Sequence, residues 1–456
     1  MINLFEYQNR VAFDDELSGI EDFLDEIWIN REKSPLYIES DSFETSNQGF
    51  IQFLRKTNEM KSSKYVGVIH FQGQKINLLP KIFYEGDREY PQSEVHQIHS
   101  HILWWLSYCR KIKFPKYHTS LGSAKSDFFE VLIYLFSKYT RELFNSSLYH
   151  QYVEVTNELP FVKGRLNTTN YFNDNISRGR WHKLNCTYDS FELDNQFNRI
   201  IKYVTTLLFN VTGSQENKKH LREILFFLDD VTDERATAAQ CSKIAFNPMF
   251  GEFETVRDYC ELFLSSSVSF DYKNDLKLFA FLLPMEYVFE DFVFGFIEKE
   301  IPEITAKSQR SDIYLDESKK FNIKPDLWLK TQKKSLIADT KYKIVYSDYD
   351  DPKRGISQSD LYQMLAYAVR FNVDDIVLFY PNTIRDNQQK NVSLVIKDAL
   401  ANGKEVSIRA HQIPILSKDI LLSEYNPNKD FIEQFGSLKS DLESTIRSIL
   451  DFETAS

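Results

Sequence analysis

The stretch Lys324–Lys343, KPDLWLKTQKKSLIADTKYK, decides how the rest of this 456-residue chain is read. NIKPDLWLK and LIADTKYKI each alternate polar and apolar residues with period two. The short polar TQKKS lies between them, so the spacing predicts a β-hairpin. With Thr331 to Lys334 as the loop, Lys330 faces Ser335, and Asp326 falls opposite Asp339. Directly opposed residues carry their Cβ atoms roughly 5 Å apart on one face of a sheet. Two carboxylates that close repel each other unless a cation lies between them. Lys341, two residues beyond Asp339, points to the same face. Oxygen donors that leave positions for water and phosphate suit Mg²⁺, so the pattern points to metal-assisted hydrolysis of a phosphodiester. The plain alternative is a hairpin with surface charges, because Asp-x-Lys strings are common.

The flanks add carboxylates and an amide at helical spacing. Met285 to Glu300 is amphipathic, with Glu286 and Glu290 four residues apart and so on one face. Either could complete a metal shell, Glu290 first and Glu286 if the register shifts; the competing reading is a solvated helix face. Ser357 to Phe371, SQSDLYQMLAYAVRF, opens with cap-type residues and carries apolar positions at helical spacing. It places Gln363 and Tyr367 on one face, as groups that position DNA or support the metal ligands, or else as parts of an ordinary core helix with a buried tyrosine.

A carboxylate-bearing helix, a Pro-Asp strand, an Asp-x-Lys strand and a Gln-x-x-x-Tyr helix, in that order, resemble the PD-(D/E)xK nuclease superfamily. The Gln–Tyr helix looks like the variant of its RecB-like and McrC-like members. Tyr65 to Phe83, YVGVIHFQGQKINLLPKIF, reads as two strands around a Gln72-Gly73 turn. With its Leu79-Pro80-Lys81-Ile82 element, it resembles the N-terminal region of McrC proteins, the nuclease subunits of McrBC-type restriction systems. Gly164-Arg165-Leu166 and Asp194 with Asn198-Arg199-Ile200 resemble the same family. The resemblance runs from about Tyr65 onward and is strongest in the last third.

Length and composition set the bounds around that reading. A chain of 456 residues holds two or three domains. Its 42% hydrophobic and 27% charged content is that of a soluble globular protein. The 37 Phe and 25 Tyr are explained more economically by core filling than by base stacking. A net charge of -11 argues against a protein that coats nucleic acid, although six lysines between Lys324 and Lys343 make a local basic excess. Cys109, Cys186, Cys241 and Cys260 are scattered and lack Cys-x-x-Cys spacing, which points to reduced thiols. The polar start MINLFEYQNR is no signal peptide, and no apolar run reaches the ~18 residues that span a bilayer. The expectation is a soluble, cytoplasmic protein without membrane contact.

Elsewhere the sequence supplies scaffolding. His96, His99 and His101 have a spacing open to a transition metal. No acidic or Cys partner is nearby, and the ILWWLSYCRKIKF that follows reads as a buried helix. Asp127 to Asn145 is a core helix; Tyr152 to Asn167 turns extended, with Gly164 suited to a tight turn. Lys163 and Arg165 are either phosphate contacts or, more economically, a solvated face. The Cys186–Leu208 stretch begins polar and becomes an amphipathic helix, and Phe253 to Leu264 is another. Ser265 to Asp275 is a polar break, Asp375 to Tyr380 a buried strand ending at Pro381, Glu405 to Ala410 one more strand, and Asp430 to Ile449 a tail helix.

The expected architecture is a multidomain α+β or α/β chain. A strand-rich N-terminal module (1–110) is followed by a mostly helical middle (111–270) and a C-terminal PD-(D/E)xK, restriction-endonuclease-like mixed sheet flanked by helices (271–456). Asp326, Asp339 and Glu290 would hold Mg²⁺, with Mn²⁺ able to substitute, and Lys341 would orient or deprotonate the attacking water or stabilise phosphate charge. No G-x-x-x-x-G-K-[ST] string occurs, so the chain is not expected to hydrolyse nucleotide itself. The resemblance supplies the motor separately, as a McrB-like AAA+ GTPase hexamer that engages the N-terminal module and translocates double-stranded DNA. In that family the nuclease subunit cuts within the assembly and stimulates its partner's GTPase. Two other readings stay open: a stand-alone RecB-like nuclease, and a catalytically inactive activator of a partner NTPase.

Overall fold

The computed structural model describes residues 2–13, 19–30, 49–71, 74–110, 128–265, 279–308, 314–330, 335–345, 353–385, 391–398, 404–423 and 431–450. The Thr331–Lys334 loop, the Gln72-Gly73 turn and most of the 265–275 break lie outside these residues. In chain order, β1 (Ile2–Phe5), β2 (Val11–Ala12) and α1 (Ile20–Asn30) precede β3 (Ile51–Leu54), β4 (Glu59–Ser62), β5 (Tyr65–Phe71), β6 (Gln74–Leu79) and α2 (Gln92–Tyr108). The middle comprises α3 (Phe128–Ser146), β7 (Gln151–Leu159), β8 (Arg165–Leu166), α4 (Thr168–Asn170), β9 (Leu184–Glu192), α5 (Gln196–Val211), α6 (Gln215–Phe227), α7 (Ala238–Ser242) and α8 (Phe253–Ser265). The last part runs β10 (Phe279–Pro284), α9 (Met285–Glu300), β11 (Thr305–Ser308), β12 (Leu327–Lys330), β13 (Ser335–Thr340), α10 (Gln358–Phe371), β14 (Asp375–Pro381), β15 (Asn391–Asp398), β16 (Lys404–Ile413), α11 (Lys418–Leu422), α12 (Phe431–Gln434) and α13 (Gly436–Ile449). This is a mixed α+β, multidomain chain. It divides into two compact units, 1–132 with 265–456, and 133–264.

In the first unit, a six-stranded sheet runs in the order β11-β12-β13-β14-β16-β15. β12 is antiparallel to β13, whereas β13 and β14 are parallel. Parallel neighbours need a crossover, and α10 supplies it, packing Met364, Tyr367 and Ala368 onto Ile337, Ile376 and Leu378. β13 is therefore central, and Leu336 to Ala338 are fully buried. A second sheet has the order β1-β6-β5-β10. β10 pairs antiparallel with β5, Leu282 opposite Gly67, so residues just before the Glu286/Glu290 helix complete the sheet begun by the N-terminal strands.

Helix α2 places its aromatic residues in the core. Trp104 stacks on Phe435 at 5.2 Å, and Trp105 Nε1 donates to Ile415 O at 2.9 Å. His101 is fully buried; burial holds its pKa down at about 4. The neutral ring is satisfied through Nδ1 at Gln97 O (2.7 Å) and through Nε2, which accepts from Ser417 N–H (3.3 Å). The histidine group is accounted for at this position by core packing. The four cysteines are buried free thiols, and among the described residues no helix is long and apolar enough to cross a membrane.

The second unit carries the three-stranded sheet β7-β9-β8 and an aromatic cluster in which Tyr149 meets Phe197, Phe246, Phe250 and Phe253. Gly164 has φ +68, and a Cβ there would lie 2.5 Å from Thr187 O, so the turn into β8 requires glycine. Lys163 Nζ lies 3.9 Å from the centre of the Tyr188 ring, and Arg165 reaches toward Glu154 at 3.9 Å on an open surface. Arg199 grips Asp194 with two nitrogens at 2.7 and 3.0 Å. The Thr232 hydroxyl also donates to Asp194, at 2.7 Å. Asn198 Nδ2 donates to Tyr149 O and Leu193 O, each at 2.7 Å. The Asp194/Asn198/Arg199 motif thus fastens the start of α5.

Candidate active site

The hairpin delivers the acidic groups in the register the spacing predicts. Leu327 pairs with Ala338 and Lys330 with Ser335, and the ladder stops one residue short of Asp326. Pro325 comes just before it, without an N–H to offer a neighbour. Asp326 closes the gap with its side chain: Oδ2 accepts from the backbone N–H and the hydroxyl of Thr340, both at 2.8 Å. Thr340, which the sequence did not single out, therefore aims Asp326. Its position beside Asp339 in a Pro-Asp/Asp-Thr hairpin was the available signal.

Asp339 is fully buried. Lys341 Nζ comes to 2.5 Å from its Oδ2, an ion-pair approach rather than an aligned hydrogen bond. Oδ1 has no hydrogen-bonding partner among the described residues. Burial pushes the Asp339 carboxyl up to about 8, the charge of Asp326 adds to this, Lys341 opposes it and Glu290 adds a smaller push. Burial also works against the Lys341 charge, but Asp339 and Asp326 outweigh it and the net shift is upward, so the amine stays protonated. A carboxylate this deep, repelled by a second one and with one oxygen lacking a donor among the described residues, is short of positive charge.

The two helical carboxylates separate. Glu290 is half-buried and adds its field at Asp339. Glu286 is exposed, and its field falls on Glu6, Lys81 and Tyr342. Among the described residues no three His, Cys, Asp or Glu side chains gather closely enough to enclose a metal ion, so Asp326 and Asp339 form the close acidic pair and Glu290 stands further off. Gln363 and Tyr367 are brought together: Gln363 Nε2 donates to Tyr367 Oη at 2.7 Å, and the Tyr367 hydroxyl donates to Lys324 O at 3.0 Å. Burial, then Asp339 and Asp326, push the Tyr367 hydroxyl well above its ordinary range. This neutral hydroxyl ties α10 to the chain just before Asp326. Lys343, two residues past Lys341, holds Asp360 at the start of α10 with contacts of 2.8 and 2.9 Å.

Fold and site together define an α+β multidomain protein in which a central strand presents a buried carboxylate, an adjoining lysine and a second aspartate, under a Gln–Tyr helix. The sequence matches the family described as McrBC 5-methylcytosine restriction system component over residues 60–381, and the chain belongs to that family. Two solved structures are similar to it. One is a half-complex from a tetradecameric assembly of Thermococcus gammatolerans McrB AAA+ hexamers with bound McrC, at TM-score 0.66 and 16% identity over 98% of this chain and 99% of that one. The other, the Thermococcus gammatolerans McrBC complex, gives TM-score 0.50 and 18% identity over 66% of this chain and 88% of that one. No curated protein matches the chain.

Proposed function

We propose that this chain is the DNA-cutting subunit of a McrBC-type restriction system, a PD-(D/E)xK-type nuclease that acts with a separate McrB-like AAA+ GTPase hexamer. The observation that carries the reading is Asp339, wholly buried, with one oxygen lacking a donor among the described residues and the other 2.5 Å from Lys341 Nζ. An ordinary structural aspartate in a sheet core would be hydrogen-bonded; one left short of positive charge beside Asp326 fits a site built to receive a cation. Family membership and the likeness to a chain solved with McrB support the partner, and the GTP requirement follows from the same resemblance.

Hard oxygen donors in this pair suit Mg²⁺, with Mn²⁺ as a substitute. Asp339 and Asp326 would hold it, and Glu290 would reach it through water or a small movement of α9. When bound, the ion supplies Lewis-acid polarisation of the phosphate and a more acidic water. Thr340 keeps Asp326 aimed at the site. Lys341, charged and only partly exposed, donates to a phosphate oxygen or to the attacking water, stabilising charge as it builds. Tyr367 and Gln363 hold the Lys324–Asp326 approach against α10.

The deciding experiment is cleavage of plasmid DNA by the purified chain in Mg²⁺, alone and with a McrB-like partner and GTP, for the parent, D339N and K341A. Cutting that needs partner and GTP and disappears in both variants supports the proposal. Cutting in Mg²⁺ alone would instead favour a stand-alone nuclease. Undiminished GTPase stimulation with no cutting by any form would favour an inactive activator.

A further inference from the structure

We propose that Tyr342, anchored by Glu6 just past the end of β1, is the positioning residue that holds the Lys341 ammonium at Asp339; this rests on the nuclease reading above. The sheet loosens where precision is needed. β13 ends at Thr340, the Lys341 N–H still donates to Phe379 O at 2.9 Å, and the Lys343 N–H folds back to Lys341 O at 2.8 Å. Beyond this point the ladder no longer aims the side chains.

Tyr342 takes over that task. It is 4% exposed, and its hydroxyl donates to Glu6 Oε2 at 3.1 Å. The same oxygen accepts the Lys81 N–H at 3.2 Å. Lys81 Nζ lies 4.5 Å from the centre of the Tyr342 ring, and Phe289, next to Glu290, packs on that ring at 5.8 Å. Tyr342 therefore touches Glu6, Lys81 and α9 while Lys343 is tied to α10, so the two residues that follow Lys341 are both fixed. The charged and titratable groups facing Glu6 are Lys81, Tyr342, Tyr7 and Glu286. A carboxylate 1% exposed costs free energy to keep, and its contacts serve the strand segment that carries Lys341. A catalytic group misplaced by about 1 Å loses roughly 100-fold in rate.

The test uses the assembled complex with a McrB-like partner, GTP and Mg²⁺, and compares Y342F, E6Q and E6L with D339N. Phe keeps the ring packing and removes only the hydroxyl. Y342F and E6L are expected to cut at least about 10-fold more slowly at saturating Mg²⁺, with the Mg²⁺ concentration for half-maximal rate and the stimulated GTPase unchanged. E6Q keeps a carbonyl acceptor for both donors and should stay within about 3-fold of the parent. Cutting by Y342F within twofold of the parent, or a fall in E6Q as large as in E6L, overturns the inference. D339N separates the two levels. If D339N still cuts, the site itself is wrong; if D339N is dead and Y342F undiminished, only the role of Tyr342 falls.

Discussion

Asp339 and Glu6 are both buried carboxylates, and they make opposite predictions. D339N removes a charge that burial and Asp326 disfavour, so its melting temperature in EDTA at pH 8 is expected to equal or exceed the parent's while DNA cutting falls about 1,000-fold or more. A variant that melts well below the parent would mean that Asp339 is structural. Glu6 titrates at about 7 against an ordinary 4.5, chiefly through burial; burial also lowers Lys81, so for both partners desolvation outweighs their mutual attraction. The folded chain thus binds this proton more tightly than the unfolded chain. Its contribution to stability is full below about pH 4.5 and is lost as pH rises through about 7. E6Q does not titrate, so its stability relative to the parent should rise by about 1–3 kcal/mol between pH 5 and 7.5, measured by denaturant unfolding. A flat difference would refute the shift.

At the scale of elements, the placing of α9 depends on one close approach. Gly295 sits where a Cβ would lie 1.9 Å from Tyr108 O at the end of α2, and Asp291 on the same helix accepts the Arg110 N–H at 2.5 Å. G295A must part the two helices, and overpacking of this kind typically costs about 1–3 kcal/mol. Thermal unfolding should show that loss, and cutting should fall with it because Glu290 and Phe289 ride on α9. Unchanged melting would show that the contact is loose. The α9 boundaries were legible, since Pro284 pre-sets the start and apolar residues repeat to Ile297. So was the β12–β13 register, because a period-two pattern around a short loop admits few pairings. The role of Thr340 was not, because it depends on where the ladder stops.

For the whole molecule, the nuclease proposal predicts that cutting of plasmid DNA requires Mg²⁺, GTP and a McrB-like hexamer together, and that D339N abolishes cutting in Mg²⁺ while leaving GTPase stimulation in place. Loss of both in D339N would show that Asp339 supports the assembly and not the chemistry of cutting. By itself the sequence determined the β12–β13 pairing, the two flanking helices and the family, and named Asp326, Asp339, Lys341, Gln363 and Tyr367 as candidates, because local periodicity and fixed spacings carry that information. Tertiary structure decided what links distant segments. β10 joins the N-terminal sheet, Glu290 rather than Glu286 faces Asp339, and Tyr342 meets Glu6 across 336 residues of chain. Such contacts leave no periodic trace, since a buried hydrogen bond depends on which surfaces meet in space and not on how the residues are spaced along the chain.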